Sequence, residues 1–240
     1  MFIGFFYFLA GLIFGSFLNV LVYRIPKSIS IIFPRSHCTS CKKNIPPYNN
    51  IPLVSFLMLK GKCKYCKNKI SIQYPLIELI TGLLFVFSYN YFCFYEVYFF
   101  GIISSLLLCI AIIDFKHYII PIKLFFTILF ITLINAIFSQ NLLHHVYGML
   151  IGFSYLTFIL ILTWFIIKKQ PMGFGDILLI TTLGLWLGPL KILLTIFFSS
   201  LLGILYWGLI SLKDGYNKNR KLPFGSFLTI TSIIIYIIKI

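Results

Sequence analysis

Five carboxylates occur in the 240-residue chain: Glu78, Glu96, Asp114, Asp176 and Asp214. Any carboxylate acid–base chemistry must draw on these. Asp114 closes the uncharged run 97–113, and Asp176 opens the run 177–190. An ionisable group at or within an apolar segment is costly to place and so marks a functional candidate. Two such carboxylates brought to one water can divide the work. One takes the water's proton while the other protonates a leaving amine, which hydrolyses a peptide bond with no metal and no covalent intermediate. Simpler roles exist for both. Asp176, preceded by Pro171-Met172-Gly173-Phe174-Gly175, also suits a helix N-cap, and Asp114 could mark a helix end beside Lys116. Gly173 and Gly175 are expected to let the chain turn into the membrane ahead of a helix, because glycine adopts backbone conformations closed to other residues. Glu78 follows Tyr74-Pro75-Leu76-Ile77 and is either a buried functional acid or the partner of a nearby Lys or Arg.

A second chemistry lies in Cys38-x-x-Cys41 and Cys63-x-x-Cys66, two pairs separated by 21 residues. That spacing is one beyond the usual ~15–20 of a zinc ribbon. Four thiolates suit a tetrahedral Zn²⁺ with no open position, which makes the ion structural rather than catalytic. Two disulfides are the other reading, disfavoured on the reducing side of a membrane. The segment that carries the cysteines is only ~50 residues and needs a staple to hold a fold. The lysines around them, Lys42, Lys43, Lys60, Lys62, Lys64, Lys67 and Lys69, read either as a solvated face near anionic headgroups or as a contact surface for a partner. Cys93 and Cys109 fall in apolar runs and read as packing residues.

The elements that must position these groups follow from composition. Hydrophobic residues make up 60% of the chain and charged residues 10%, against about 25% charged in a soluble domain. An ordinary soluble enzyme is excluded, and so is a disordered chain. Uncharged runs occupy residues 1–23, 79–95, 97–113, 124–167, 177–190, 192–212 and 222–238. A membrane helix needs ~20 apolar residues, so the 44-residue run 124–167 must divide, at Ser139-Gln140-Asn141 with His144 and His145. The first run lacks a basic leading region and a small-residue cleavage site, and is expected to be an uncleaved anchor. The expected fold is therefore an all-α polytopic membrane protein. It has about eight transmembrane helices and a small zinc-ribbon-like cytoplasmic loop between the first two.

The net charge of +15 would point to nucleic acid in a soluble protein, but here it records orientation. Segments 24–75, 116–123, 168–169 and 213–221 alternate onto one side and hold 18 of the 20 Lys and Arg; Lys191 and Lys239 fall opposite. Basic loops mark the cytoplasm, so loop 24–75, Asp114 and Asp176 are expected at the cytoplasmic face and both termini outside. The bilayer is the expected partner, and nucleic acid is not.

In this order and at these spacings, the segments resemble the type IV prepilin peptidases, GxGD-type membrane aspartyl proteases. Gly11-Leu12-Ile13-Phe14-Gly15-Ser16-Phe17-Leu18-Asn19-Val20, running on to Arg24-Ile25-Pro26, is similar to the family's opening motif. The tetracysteine loop matches, with Asn50-Ile51-Pro52 between its pairs and Tyr74-Pro75-Leu76-Ile77-Glu78 after them. So do Asp114 with Pro121, and Gly173-Phe174-Gly175-Asp176 with Leu183-Gly184-Leu185-Trp186-Leu187-Gly188. Leu222-Pro223-Phe224-Gly225 resembles the start of the last span.

The resemblance implies an enzyme of the bacterial cytoplasmic (inner) membrane. It implies cleavage of the basic leaders of type IV prepilins and pseudopilins, often followed by methylation of the new N-terminus with S-adenosylmethionine. It implies Asp114 and Asp176 as the catalytic pair, Gly173 and Gly175 as their motif, and Cys38, Cys41, Cys63 and Cys66 as a zinc-bearing loop associated with methylation. On that reading residues 1–23 are the first transmembrane helix and 24–75 the loop, within a methylation-associated region reaching about residue 92. Residues 76–240 form the peptidase region. The chain departs from the family pattern at Lys116, Ile122 and Leu178, where an acid, an acid and a lysine are usual. No glycine-rich nucleotide fingerprint in a strand–helix setting marks a methyl-donor pocket. A member that cleaves without methylating, or the reverse, shares these motifs. A polytopic transporter or a non-enzymatic scaffold with a zinc-stapled loop shares the composition. A transporter, however, places polar groups near the bilayer midplane and shows internal repeats, whereas these acids cluster at one interface.

Overall fold

The computed structural model describes residues 2–92, 95–168, 173–217 and 220–238. Cys93, Pro171 and Met172, with the basic residues Lys169, Lys218 and Lys239, lie outside them. Among the described residues all regular structure is helical, apart from two isolated bridges, His37 with Asn44 and Lys62 with Lys69. The chain divides into two compact units, Met1–Ser105 and Leu106–Ile240.

The first unit is organised by α1 (Phe2–Arg24) and α3 (Gln73–Tyr91), with the short α2 (Val54–Met58) in the loop between them. The two long helices run antiparallel. Asn19 Nδ2 donates to the Tyr74 carbonyl at 3.0 Å, while Gly15 and Gly11, one and two turns earlier on α1, lie against Glu78, Thr81 and Gly82. A Cβ on Gly11 would stand 2.7 Å from the Thr81 carbonyl, and one on Gly15 would fall on the Thr81 hydroxyl. Small residues four apart let helix backbones approach this closely where lipid supplies no hydrophobic drive. At the end of α1 the buried Arg24 donates to the carbonyls of Ser30, Ile31 and Pro34 at 2.9, 3.1 and 2.6 Å. The planar fork of its guanidinium gathers the chain reversal into the loop.

The helix α4 (Glu96–His117) begins in the first unit and ends in the second, where α5 (Ile122–Phe138), α6 (Leu142–Ile167), α7 (Phe174–Leu187), α8 (Pro189–Asp214) and α9 (Phe224–Ile237) follow. The long uncharged run divides where expected, between Phe138 and Leu142. At the centre of this unit is α7, which packs on α5, α6, α8 and α9 and buries nearly every residue from Ile177 to Leu187. Trp186 stacks on Tyr236 of α9 with ring centroids 4.4 Å apart.

Among the described residues, four helices are long and apolar enough to cross a membrane: Phe2–Lys27, Glu96–His117, Leu142–Ile166 and Pro189–Asp214. Ile122–Phe138, Phe174–Leu187 and Phe224–Ile237 are apolar but shorter. A 14-residue helix such as α7 rises about 21 Å, less than the ~30 Å hydrocarbon core, and helices rather than lipid surround it. Uncharged runs also misplace helix ends, because a charge held by neighbours need not end a helix. Glu78 lies inside α3, which starts at Gln73 rather than at residue 79, and Lys191 lies inside the first turn of α8.

Candidate active site

Asp114 sits in the last turn of α4 with 5% of its surface exposed. The helix stops at His117 because Tyr118 adopts a left-handed conformation, φ 56°, and its N–H closes on the Asp114 carbonyl at 2.8 Å. The Asp114 carboxylate reaches the N-terminus of α9. Its Oδ2 accepts from the Ser226 N–H at 2.7 Å and from the Ser226 hydroxyl at 3.0 Å. Ser226 is the third residue of α9, and its N–H otherwise meets only the Pro223 carbonyl, at 3.1 Å. The carboxylate thus caps α9 and lies in the positive end of its dipole. The Ser226 hydroxyl can turn instead to the Ala111 carbonyl at 2.8 Å, and its single proton serves one acceptor at a time. Asp114 is therefore not a bare helix end.

Asp176 is the third residue of α7, not its N-cap; that position is Gly173. The Asp176 N–H donates to the Gly173 carbonyl at 3.1 Å, and its carboxylate accepts the Gly173 N–H in return, the reach-back half of a capping box. Gly173 has φ −70° and ψ 140°, a conformation open to any residue, so the dihedral reason for the glycines does not hold. Space is the reason at Gly175, where a Cβ would press on Ile120 at 3.2 Å. At Gly225 a Cβ would meet both Ile120, at 3.0 Å, and Asp114 Oδ2, at 3.1 Å. Ile120 therefore touches the starts of α7 and α9 together and brings them to the end of α4. The two carboxylates are close enough for their charges to interact. Each is anchored at a helix N-terminus, Asp114 buried and Asp176 half-buried. One water between such a pair can be deprotonated from one side while a proton is delivered from the other. Of the departures from the family pattern, Lys116 and Ile122 are exposed and Leu178 is half-buried.

The cysteines form a second centre, in the other unit. The Sγ atoms of Cys38, Cys41, Cys63 and Cys66 all lie within 4.8 Å of one another, with Cys38 and Cys66 at 3.8 Å. A tetrahedral ion with Zn–S bonds of ~2.3 Å requires sulfur separations of about 3.8 Å, so the donor set fits zinc. The two halves are built alike. Cys38 N–H donates to Lys43 O and Lys42 N–H to Cys38 O, while Cys63 N–H donates to Asn68 O and Lys67 N–H to Cys63 O. Lys42 and Lys67 are both left-handed, at φ 60°. The N–H groups of Cys41 and Ser40 lower the Cys38 thiol to about 6, and those of Cys66 and Tyr65 lower Cys63, which favours the thiolate at these two, whereas burial and the neighbouring thiols push Cys66 up to about 11. Glu78 is buried, and among the described residues its partners are the Leu53 N–H, at 2.9 Å, and the Ser16 hydroxyl, not a Lys or Arg. Cys109 is fully buried within α4, as a packing residue should be.

These two centres coincide with two family descriptions. The Bacterial Peptidase A24 N-terminal domain matches residues 9–92, and the Type IV leader peptidase family matches residues 101–208. Over 93% of its length the chain is 34% identical to an Escherichia coli O78:H11 protein, the type 4 prepilin-like proteins leader peptide-processing enzyme, and covers 89% of it. It is 33% identical over 92% of its length to the prepilin leader peptidase/N-methyltransferase of Pseudomonas aeruginosa, covering 86% of that protein. With the Bacillus subtilis prepilin leader peptidase/N-methyltransferase it shares 34% identity over 96% of its length, covering 92% of the relative. The chain belongs to the type IV leader peptidase family. No solved structure matches it.

Within this leader peptidase the first match carries the cysteines and Glu78, and the second carries both aspartates; Ser226 lies beyond either. Sequence reading does not single out Ser226. Its one signal is that it follows Leu222-Pro223-Phe224-Gly225 at a helix start, where a spare N–H awaits an acceptor. Ser226→Ala keeps the N–H and removes the hydroxyl. Leader cleavage by this variant should fall about ten-fold in kcat with KM unchanged, the loss of one charge-assisted hydrogen bond. A rise in KM alone would place Ser226 in substrate binding instead.

Proposed function

We propose that the chain hydrolyses the leader of type IV prepilins and pseudopilins with Asp114 and Asp176 as acid–base pair, at the cytoplasmic face of the bacterial inner membrane. The observation that carries this is the meeting of the two acids at one place through Ile120, Gly175, Gly225 and Ser226. Water attacks the scissile carbonyl. One carboxylate takes the water's proton and the other protonates the departing amine, so the pair ends with the proton moved across it. Gly175 leaves room for Ile120 at the start of α7, and Gly173 is the N-cap to which Asp176 reaches back. The basic loops favour the cytoplasmic side for both centres, and the eight longer helices, α1 and α3 to α9, are assigned as spans. A substrate's apolar helix then lies against them while its leader stays in water.

Methylation of the freed amine is assigned to residues 1 to about 92, within the first unit. Zinc on Cys38, Cys41, Cys63 and Cys66 supplies the staple that a loop of this size lacks. S-adenosylmethionine supplies the methyl group when bound. The all-helical described residues offer no strand–turn–helix cradle for it, so no residue is assigned to hold it and no step is derived through it.

The purified chain in nanodiscs, given a full-length prepilin, should release the leader peptide and then yield a mature protein heavier by one methyl group, both read by mass spectrometry. A chain that leaves the leader intact overturns the peptidase reading, and release without the mass gain restricts the enzyme to cleavage. Purified protein should also carry one zinc per chain by metal analysis. Cys63→Ser should lower that stoichiometry and make the loop sensitive to proteolysis, because metal binding and loop folding are one event. Full zinc in the variant would remove Cys63 from the ligand set.

A further inference from the structure

The polar groups where α1 meets α3 are left over from both centres. Asn19 is buried, with 3% of its surface exposed, and although its Nδ2 is bonded to Tyr74 O, its Oδ1 has no partner. Glu78 lies one turn along α3 from Tyr74, and Ser16, which donates to Glu78, lies one turn back along α1 from Asn19. Residues three and four apart on a helix stand about 5–6 Å apart, so Asn19 and Glu78 are neighbours across the Gly15 crossing. Both present oxygen acceptors. Glu78 holds two neutral donors, the Leu53 N–H and the Ser16 hydroxyl, whereas a carboxylate offers about four lone-pair sites.

Over Glu78 lies a strained piece of chain. Leu53 has φ 59° and ψ −49°, and the Val54 N–H closes on the Pro52 carbonyl at 2.6 Å. This is the rare γ-turn of positive φ, unfavourable for a branched side chain and held only where the surroundings enforce it. What enforces it is the bond from the Leu53 N–H to Glu78 Oε2. A buried amide oxygen without a donor, a carboxylate with spare acceptor sites and a strained strap over them describe a place for a group with several N–H donors and a positive charge.

We infer that Glu78 and Asn19 bind the α-ammonium group of the substrate after its leader is removed, with the Pro52–Val54 turn giving way to admit it. An ammonium carries three donors and no acceptor, which suits the Glu78 carboxylate and Asn19 Oδ1. The site lies in the unit assigned to methylation, and the inference rests on that assignment. It names the atoms that hold the amine, in a unit from which Asp114 and Asp176 are absent.

The test is a binding measurement on the full chain in nanodiscs without methyl donor. The probes are two fluorescent peptides with the sequence of a mature pilin N-terminus, one with a free amine and one N-acetylated. The free-amine peptide should bind at least about ten-fold more tightly, the worth of one charge-assisted hydrogen bond to a buried carboxylate. Glu78→Gln and Asn19→Leu should each lose most of that preference while holding one zinc per chain, which reports a folded unit. Should either variant lose zinc, Asn19→Asp, which keeps the size and adds an acceptor, should retain the preference. Equal binding of the two peptides by the wild-type chain overturns the inference, as does undiminished preference in a zinc-loaded Glu78→Gln protein. Leader cleavage by wild type, measured in parallel, tests the peptidase reading separately. A chain that cleaves and methylates but binds both peptides alike refutes this site alone.

Discussion

Asp114→Asn and Asp176→Asn should each slow leader cleavage by about 10²- to 10⁴-fold, the range that general acid–base catalysis supplies. Both substitutions are nearly isosteric, so the surrounding structure has little reason to move. In the Asp114→Asn variant the new amide oxygen still accepts the Ser226 N–H that Asp114 Oδ2 accepts at 2.7 Å. In the Asp176→Asn variant the amide oxygen still reaches back to Gly173. The caps of α9 and α7 therefore survive, and what disappears is a group that can take or give a proton. Prepilin binding should change little, and the loss should fall on kcat. On the proposed mechanism the two acids act on one water, so the double variant should be about as slow as the slower single variant, the non-additivity of residues that work as one unit. Single-turnover cleavage of a full-length prepilin in nanodiscs reads all three rates. Wild-type cleavage by either single variant would remove that residue from the pair. A double variant slowed by the product of the single effects would mean that the two acids serve separate steps.

The chemistry-bearing residues were legible in the sequence because they violate their surroundings. A carboxylate ending an apolar run and two Cys-x-x-Cys pairs in the only long polar loop stand out without a structure. Ser226 does not, because a serine in an apolar helix is ordinary. Its role exists only once α9 brings it to a partner 112 residues away. Gly173 and Gly175 were legible as a motif but not in their physics. Turning the chain was the expected use, whereas at Gly175 the missing side chain leaves room for Ile120. The helices were legible as apolar runs, but their ends were not. Glu78 and Lys191 sit inside helices because the Leu53 N–H and the Tyr236 carbonyl receive them, and such partners are set by the fold. The expected count of eight spans rests on run length, whereas four of the described helices are long and apolar enough to cross a membrane and α7 is shorter and buried among its neighbours.

The most sensitive packing position outside the acid pair lies where α6 crosses α7. Gly148-Met149-Leu150-Ile151-Gly152 on α6 and Gly184-Leu185-Trp186-Leu187-Gly188 closing α7 carry the small-x-x-x-small spacing of close helix crossings. The same spacing on α1 means that pattern alone leaves open which helix meets which. In the fold, a Cβ on Gly148 would fall on the Gly184 carbonyl and within 2.6 Å of Gly188 Cα; one on Gly184 would fall on the Gly148 carbonyl and within 3.0 Å of Met149 Cα. These neighbours are backbone atoms, so no rotamer change relieves the contact and α6 must move off α7. Overpacking of this kind costs about 1–3 kcal/mol and occasionally more, which lowers the melting temperature by about 2–12 °C in a chain of this size. Since α7 carries Asp176, a shift of this helix by a fraction of an ångström also misplaces one member of the pair, and positioning errors near 1 Å cost about 10²-fold in rate. Gly148→Ala and Gly184→Ala should therefore lose both melting temperature and cleavage. Gly208→Ala on α8, where a Cβ meets nothing within 4 Å, should keep cleavage and hold or raise the melting temperature through the better helix propensity of alanine. Thermal unfolding and single-turnover cleavage of the three variants check this together. If Gly184→Ala behaved like Gly208→Ala, the α6–α7 crossing would be looser than the structure places it, and the position of Asp176 would have to be set by α9 and Ile120 alone.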